Sequence, residues 1–168
     1  MVEQTKGDIP SAHADYSMAI KMEPSWAELY AYRGYVEQTR KEFDAAIIDY
    51  ELAIQRKPAL TAIRPDLAQL YDYRGMTEYN NGDFKDARAD LSKEIAVEPG
   101  WPKAYEYRGA TEQRDGDWIP ALADYSKAIA LKPDGAWVYG ARAEVEQHLG
   151  NLGGAEADNV QGRQSGLP

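Results

Sequence analysis

"YEYRGATEQRDGDW", residues 105–118, sets Arg108 beside Gly109 and places Glu112 four residues after the arginine, inside a stretch that otherwise reads as a helix. A charged pair next to a glycine resembles a grip on a ligand, but the arrangement is not single. "YAYRGYVEQ" stands at 30–38, "YDYRGMTEY" at 71–79, and "YGARAEVEQ" at 139–147 is a worn copy. Whatever the motif does, the chain needs it several times.

Prolines close the copies at Pro24, Pro58, Pro99 and Pro133, in steps of 34, 41 and 34 residues. The long step has a visible cause. "ALTAIRP" at 59–65 adds 7 residues, after which "PDLAQLYDYRG" resumes the register of "PSWAELYAYRG". The underlying period is therefore 34, that of a helix–turn–helix repeat. Within it recur an early aromatic (Tyr30, Tyr71, Tyr105, Tyr139), a mid-helix glycine (Gly34, Gly75, Gly109, with Ala143 in the last copy) and a turn glycine (Gly7, Gly82, Gly116, Gly150). The second helix carries a small residue (Ala12, Ala46, Ala87, Ala121, Ala155) and a later aromatic (Tyr16, Tyr50, Tyr125, with Leu91 and Asn159 as departures). A further alanine follows at Ala19, Ala53 and Ala128.

This joint pattern, covering about 2–163, resembles the tetratricopeptide-repeat (TPR) family. The resemblance implies an all-α fold: a right-handed superhelix of antiparallel helix pairs that binds other proteins. The recurring residues also have physical reasons. Glycine inside a helix costs about 1 kcal/mol relative to alanine, so its recurrence predicts a second helix passing too close for a side chain. The turn glycines predict a left-handed end to each first helix. Asp8, Asp83 and Asp117 after them, and Ser25, Asp66 and Asp134 after the prolines, are expected to cap the helices that follow. "RKEFDAAI" at 40–47 lacks the Gly-Asp turn, which predicts a strained or rearranged corner at Lys41 and Glu42.

The expected organisation is a truncated unit at 1–24, a unit at 25–58, a unit with the 59–65 insertion at 59–99, a unit at 100–133, and a degraded closing unit at 134–168. In the last, Asn159, Gly162 and Arg163 replace the apolar positions, and a polar final helix suits the free end of a solenoid. At the front, Ile9 to Met22 keeps the second-helix pattern while most of its partner helix is missing. Either the chain was cut from a longer protein, or that surface meets another copy, giving a homo-oligomer through the N-terminal end. The insertion reads as a longer packed loop or, with Leu60 and Ile63, as an extra contact flap.

Arg33, Arg74, Arg108 and Arg142 are each followed four residues later by Glu37, Glu78, Glu112 and Glu146, with Glu3 left over from the truncated unit. Asp15, Asp49, Asp90, Asp124 and Asp158 recur on the second helices. An exposed Arg–Glu pair contributes only about 0.2–0.5 kcal/mol. The recurrence is better explained if the aspartate joins the arginine, partly buried, and fixes how the two helices pack. A feature present in every unit cannot tell one end of a ligand from the other, so it is read as scaffold.

Binding is expected where the units differ. In the family, first helices line the concave surface. By helical phase the residues facing it here are Glu28, Tyr35 and Gln38, then Asp72, Met76 and Tyr79, then Lys103, Glu106 and Arg114, then Trp137 and Glu144. Their mild acidic excess and their aromatic members suit a basic or aromatic protein or peptide partner. Chaperone-tail-binding relatives clamp a carboxylate with Lys and Asn. Ala31, Tyr35 and other uncharged or acidic residues stand at those places, so that role is not expected.

The remaining composition narrows the function. A formal net charge of −9 argues against nucleic acid, whose phosphates need clustered Lys and Arg. No cysteine is present, which removes disulfides, thiolate nucleophiles and Cys-based zinc sites. "MVEQTKGD" has no basic-then-apolar leader pattern, and no apolar run approaches the ~18 residues that span a bilayer, so a soluble, cytoplasmic protein is expected. His13 and His148 lie in the first and last units, too far apart in a solenoid to share a metal. The sequence holds no G-x-S-x-G elbow, phosphate loop or H-E-x-x-H motif. The expectation is no enzyme and no cofactor.

Overall fold

A computed structural model describes residues 9–133 and 135–166. Among them the chain forms nine α-helices and no strand. These are α1 (Ile9–Met22), α2 (Ala27–Thr39), α3 (Phe43–Arg56), α4 (Arg64–Asn81), α5 (Phe84–Val97), α6 (Pro102–Asp115), α7 (Trp118–Leu131), α8 (Ala136–His148) and α9 (Leu152–Gln164). Two compact units, Met1–Leu70 and Tyr71–Pro168, divide the chain within α4. Consecutive helices pack on each other: α1 on α2 and α2 on α3 in the first unit, and α5 through α9 in sequence in the second, where α6 also meets α8. The glutamate Glu3, turn glycine Gly7 and expected caps Asp8 and Asp134 lie outside the described residues.

The mid-helix glycines sit where a second helix crosses closely. A Cβ on Gly34 would lie 2.9 Å from the Tyr50 ring, one on Gly75 3.0 Å from Leu91, and one on Gly109 3.0 Å from the Tyr125 ring. The large residue of each second helix therefore presses into the space left by the glycine of the first. Tyr50 and Tyr125 are almost fully buried, and their hydroxyls donate to Gln38 Oε1 at 2.9 Å and Gln113 Oε1 at 2.7 Å. Burial pushes both phenols up. Where the second helix carries Leu91 in place of tyrosine, the glutamine position holds Tyr79. The early tyrosines close each pair at its other end. Tyr30, Tyr105 and Tyr139 donate to the carbonyls of Pro24, Pro99 and Pro133 at 3.0, 3.2 and 3.1 Å.

The repeated arginines form two-pronged ion pairs with the second helix. Arg33 donates through Nε and Nη2 to Asp49 at 2.6 and 2.8 Å, Arg108 to Asp124 at 2.6 and 2.8 Å, and Arg142 to Asp158 at 2.7 and 2.6 Å. Arg74 makes the same fork to Asp90. The third nitrogen reaches back to the preceding helix: Arg33 to Ser17, Arg108 to Ser92 and Arg142 to Ser126, at 3.3, 3.1 and 3.1 Å. Bidentate geometry is the strong form of this interaction, and each aspartate is buried. One guanidinium thus ties three helices. Asp15 is exposed on α1.

The glutamates are a different matter. Glu37 Oε1 lies 3.9 Å from Arg33 Nε, outside hydrogen-bond range, and Glu37, Glu78, Glu112 and Glu146 each keep a buried Oε2 without a partner. Burial, reinforced by Asp124, pushes Glu112 up to about 7, so near neutrality it carries its proton part of the time. The aspartate takes the arginine's hydrogen bonds; the glutamate meets it only through charge at longer range.

The turn glycines adopt the expected left-handed backbone, with φ of 88° at Gly82, 87° at Gly116 and 81° at Gly150. The corner at 40–42 keeps the same turn by placing Lys41 at φ 63°, so the strain falls on a residue with a Cβ. The expected caps need correction. Asp83 and Asp117 occupy N-cap positions, but their carboxylates accept nothing from the helix N–H groups, and the Asp117 carboxylate instead accepts from Arg88 Nη1 at 2.5 Å. Trp26, not Ser25, precedes α2, and α4 begins at Arg64, which leaves Asp66 inside its first turn. Asn151 makes the one side-chain cap seen among the described helix starts, accepting from Gly154 N at 3.2 Å. The inserted segment is packed: Thr61–Ile63 forms a 3-10 turn running into α4, and Leu60 and Ile63 lie against Tyr30, Ala31 and Ala53.

Candidate functional site

The positions that differ between copies show where chemistry is free to vary. In the first unit, Tyr35 is exposed on α2, Glu28 pairs with Lys57 at 2.5 Å, and Gln38 has its carbonyl oxygen committed to Tyr50. Of these three, Tyr35 presents a large surface without such a commitment.

In the second unit several candidate residues converge. A cavity of about 580 Å³ is lined by Trp101, Pro102 and Lys103 at the start of α6, by Glu106 one turn in, and by Lys132, Gly135, Ala136 and Trp137 where α7 leads into α8. It brings together Lys103, Glu106 and Trp137. Trp101 and Trp137 are each 44% exposed, which leaves two indoles bounding an open hollow. Trp137 also meets Tyr125 edge-on, with ring centroids 6.2 Å apart. Trp101, Lys132 and Gly135 were not among the expected residues, because they stand at helix boundaries, Trp101 and Gly135 just before α6 and α8 and Lys132 just after α7, where no helical phase can be read.

Glu106 departs from its expected role of facing a partner. Only 7% of it is exposed. Burial raises its pKa, and a hydrogen bond from Trp137 together with the charges of Lys103 and Lys132 opposes that rise. It forms the floor of the cavity, not its rim. Farther along α8, Glu144 accepts from Gln113 Nε2 at 3.1 Å. Arg114 is exposed at the end of α6. On α4, Tyr79 packs its ring 5.9 Å from Phe84, Met76 is half-buried, and Asp72 is partly open with its Oδ1 buried and without a hydrogen-bond partner. Burial pushes Asp72 up and Lys103 pulls it back down.

The histidines have separate surroundings. His13 Nε2 lies 3.3 Å from Glu37 Oε1, and His148 stacks on Trp118 with centroids 3.7 Å apart. Among the described residues no group of three His, Cys, Asp or Glu is placed to hold a metal ion, and no helix is long and apolar enough to cross a membrane.

No protein-family model matches the chain, and no curated protein matches its sequence. Solved structures do match its fold. MamA is 20% identical over 97% of this chain and 91% of its own, with a TM-score of 0.58. PcrH, solved in complex with the chaperone binding region of PopB, is 23% identical over 60% of this chain and 81% of its own, with a TM-score of 0.58. YrrB, described as a TPR protein with an unusual peptide-binding site, is 16% identical over 95% of this chain and 78% of its own, with a TM-score of 0.57. At these identities the likeness is one of architecture.

Proposed function

Taking the tetratricopeptide-repeat fold as premise, we propose that the protein is an interaction scaffold that binds a peptide or helix of a protein partner along the inner faces of its first helices. The observation that carries this reading is the open hollow between Trp101 and Trp137, floored by Glu106 and flanked by Lys103. Two half-exposed indoles beside a cavity suit the anchoring of one large side chain, since aromatic residues dominate the energetics of interfaces. Peptide binding by YrrB and the PcrH complex, known for those proteins, supports the same use of this fold. Tyr35, Asp72, Met76, Tyr79, Arg114 and Glu144 are proposed as further contacts, with Glu28 and Gln38 contributing only if their present partners release them. A basic or aromatic partner, no catalytic step and a cytoplasmic setting belong to the same proposal.

Selection of binders from a random peptide library, followed by titration of the recovered peptides, tests it. Trp137→Ala is expected to weaken binding by about tenfold or more, the size of a hot-spot loss. Unchanged affinity in both Trp137→Ala and Trp101→Ala rejects the site.

A second reading is self-association through α1, which has no fully buried residue and leaves Ile9, Met18 and Met22 exposed. Light scattering after size exclusion decides it: a monomer at micromolar concentration removes this reading.

A further inference from the structure

One pair of interior positions changes chemistry from copy to copy. In α2 and α3 it is Ala31 and Ala53, both buried in one cluster with Tyr30. The corresponding residues are Glu106 and Ala128 in α6 and α7, and Gly140 and Gly162 in α8 and α9. In α4 and α5 alone both are acidic: Asp72 and Glu94. Glu94 is 1% exposed, yet its Oε2 has no hydrogen-bond partner, and neither does the buried Oδ1 of Asp72.

Leaving a buried polar group unsatisfied costs about 1–3 kcal/mol, and such groups call for an explanation. Glu106 shows what compensation looks like in this protein, for Trp137 donates to it. Asp72 and Glu94 have no such donor. The charge of Asp72 acts on Glu94, and that of Lys103 on α6 acts on Asp72; among the described residues no ion pair joins Lys103 to either, and Lys93, next to Glu94, lies over the Tyr71 ring at 5.3 Å.

We propose that Asp72 and Glu94 together receive a basic side chain of the partner, a lysine ammonium or arginine guanidinium. This rests on the reading of α4 and α6 as partner-binding helices. Asp72 is the entrance, being partly open, and Glu94 is the buried second acceptor. Met76, one turn along α4 on the same face, lies where the aliphatic stem of the incoming side chain passes. A cation delivered on a long stem fits two carboxyl groups without a third ligand, and among the described residues no group of three His, Cys, Asp or Glu is placed to hold a metal ion instead. The partner's charge replaces the proton that Glu94 holds in the free protein, where burial and Asp72 push it up to about 8. Binding therefore releases a proton.

Peptides selected on the full chain at about pH 8 are the probe. They are expected to share a Lys or Arg whose replacement by norleucine or citrulline weakens binding by about tenfold or more. Glu94→Gln, which keeps the shape and removes the charge, is expected to weaken them to the same degree. It should also flatten the rise in wild-type affinity between about pH 6.5 and about pH 8.5. Circular dichroism checks that the variant folds, and Asp72→Asn serves as the second variant. Peptides that lose affinity in Trp137→Ala but lack a required basic residue, or ignore both Glu94→Gln and Asp72→Asn, overturn this inference and leave the groove reading intact. Peptides insensitive to Trp101→Ala and Trp137→Ala, or none recovered, overturn the groove reading and this inference with it.

Discussion

The α2–α3 and α4–α5 pairs are built on one plan and filled with opposite chemistry. Both set an arginine against a buried aspartate and a glycine against a large side chain. At the next interior positions the first pair has two alanines under the inserted Leu60 and Ile63, while the second has two carboxyl groups with unsatisfied oxygens. Plan and filling are therefore separable. What recurs fixes how helices meet, and what differs is free to be tuned against solvent or a partner.

The sharpest way to break that separation is to damage the plan. Arg108→Ala strands the Asp124 carboxylate and removes the donor to Ser92 Oγ, and is expected to cost roughly 3–5 kcal/mol, read as a large fall in the denaturation midpoint. Arg108→Ala with Asp124→Ala should recover part of the loss, because the second change removes the stranded charge. Simple additivity in this cycle would mean the pair is not what joins the helices. Removing Glu112 should cost far less, since the guanidinium is already satisfied without it.

Changing the filling comes next. A carboxyl whose folded pKa is raised binds extra protons in the folded state, so its contribution is most favourable below its unfolded value and declines as pH rises to its folded one. For Glu94 that interval runs from 4.5 to about 8. Glu94→Gln should thus gain stability over wild type progressively across this range, reaching roughly 2–4 kcal/mol near pH 8, with little difference near pH 4. The reciprocal Ala53→Glu should lose a comparable amount in the apolar cluster of the first pair, and most at high pH. Matched pH-independent curves for wild type and Glu94→Gln would place Glu94 in water.

The plan was legible in the sequence because it repeats. Three mid-helix glycines, four arginines and the four aspartates that face them, recurring in register, have few physical explanations, and close helix crossing and buried ion pairing account for them. The caps were not legible, because an aspartate at a helix start has two competing uses, and Arg88 wins Asp117 from the helix N–H groups. Glu106 was misplaced because helical phase gives direction but not depth, and the bulk of Trp137 over it cannot be read from α6 alone. Glu94 was passed over as a gap in the Ala19, Ala53 and Ala128 series, although that interruption was itself the signal. The cavity depends on where one helix start meets the next, which periodicity within a helix does not describe.

The smallest expected effect concerns the corner between α2 and α3, where plan and sequence disagree. Gly116 takes φ 87° at its turn without strain, whereas Lys41 takes φ 63° with a Cβ. A left-handed backbone costs a non-glycine residue about 1–2 kcal/mol. Glycine loses more freedom on folding, which returns roughly 0.5–1 kcal/mol of that difference. Lys41→Gly should therefore stabilise by only about 0.5 kcal/mol, whereas Gly116→Ala should destabilise by about 1 kcal/mol. Chemical denaturation of both variants reads the two signs together. If Lys41→Gly destabilises, the Lys41 side chain contributes more to that corner than its backbone strain removes, and the turn belongs with the filling rather than the plan.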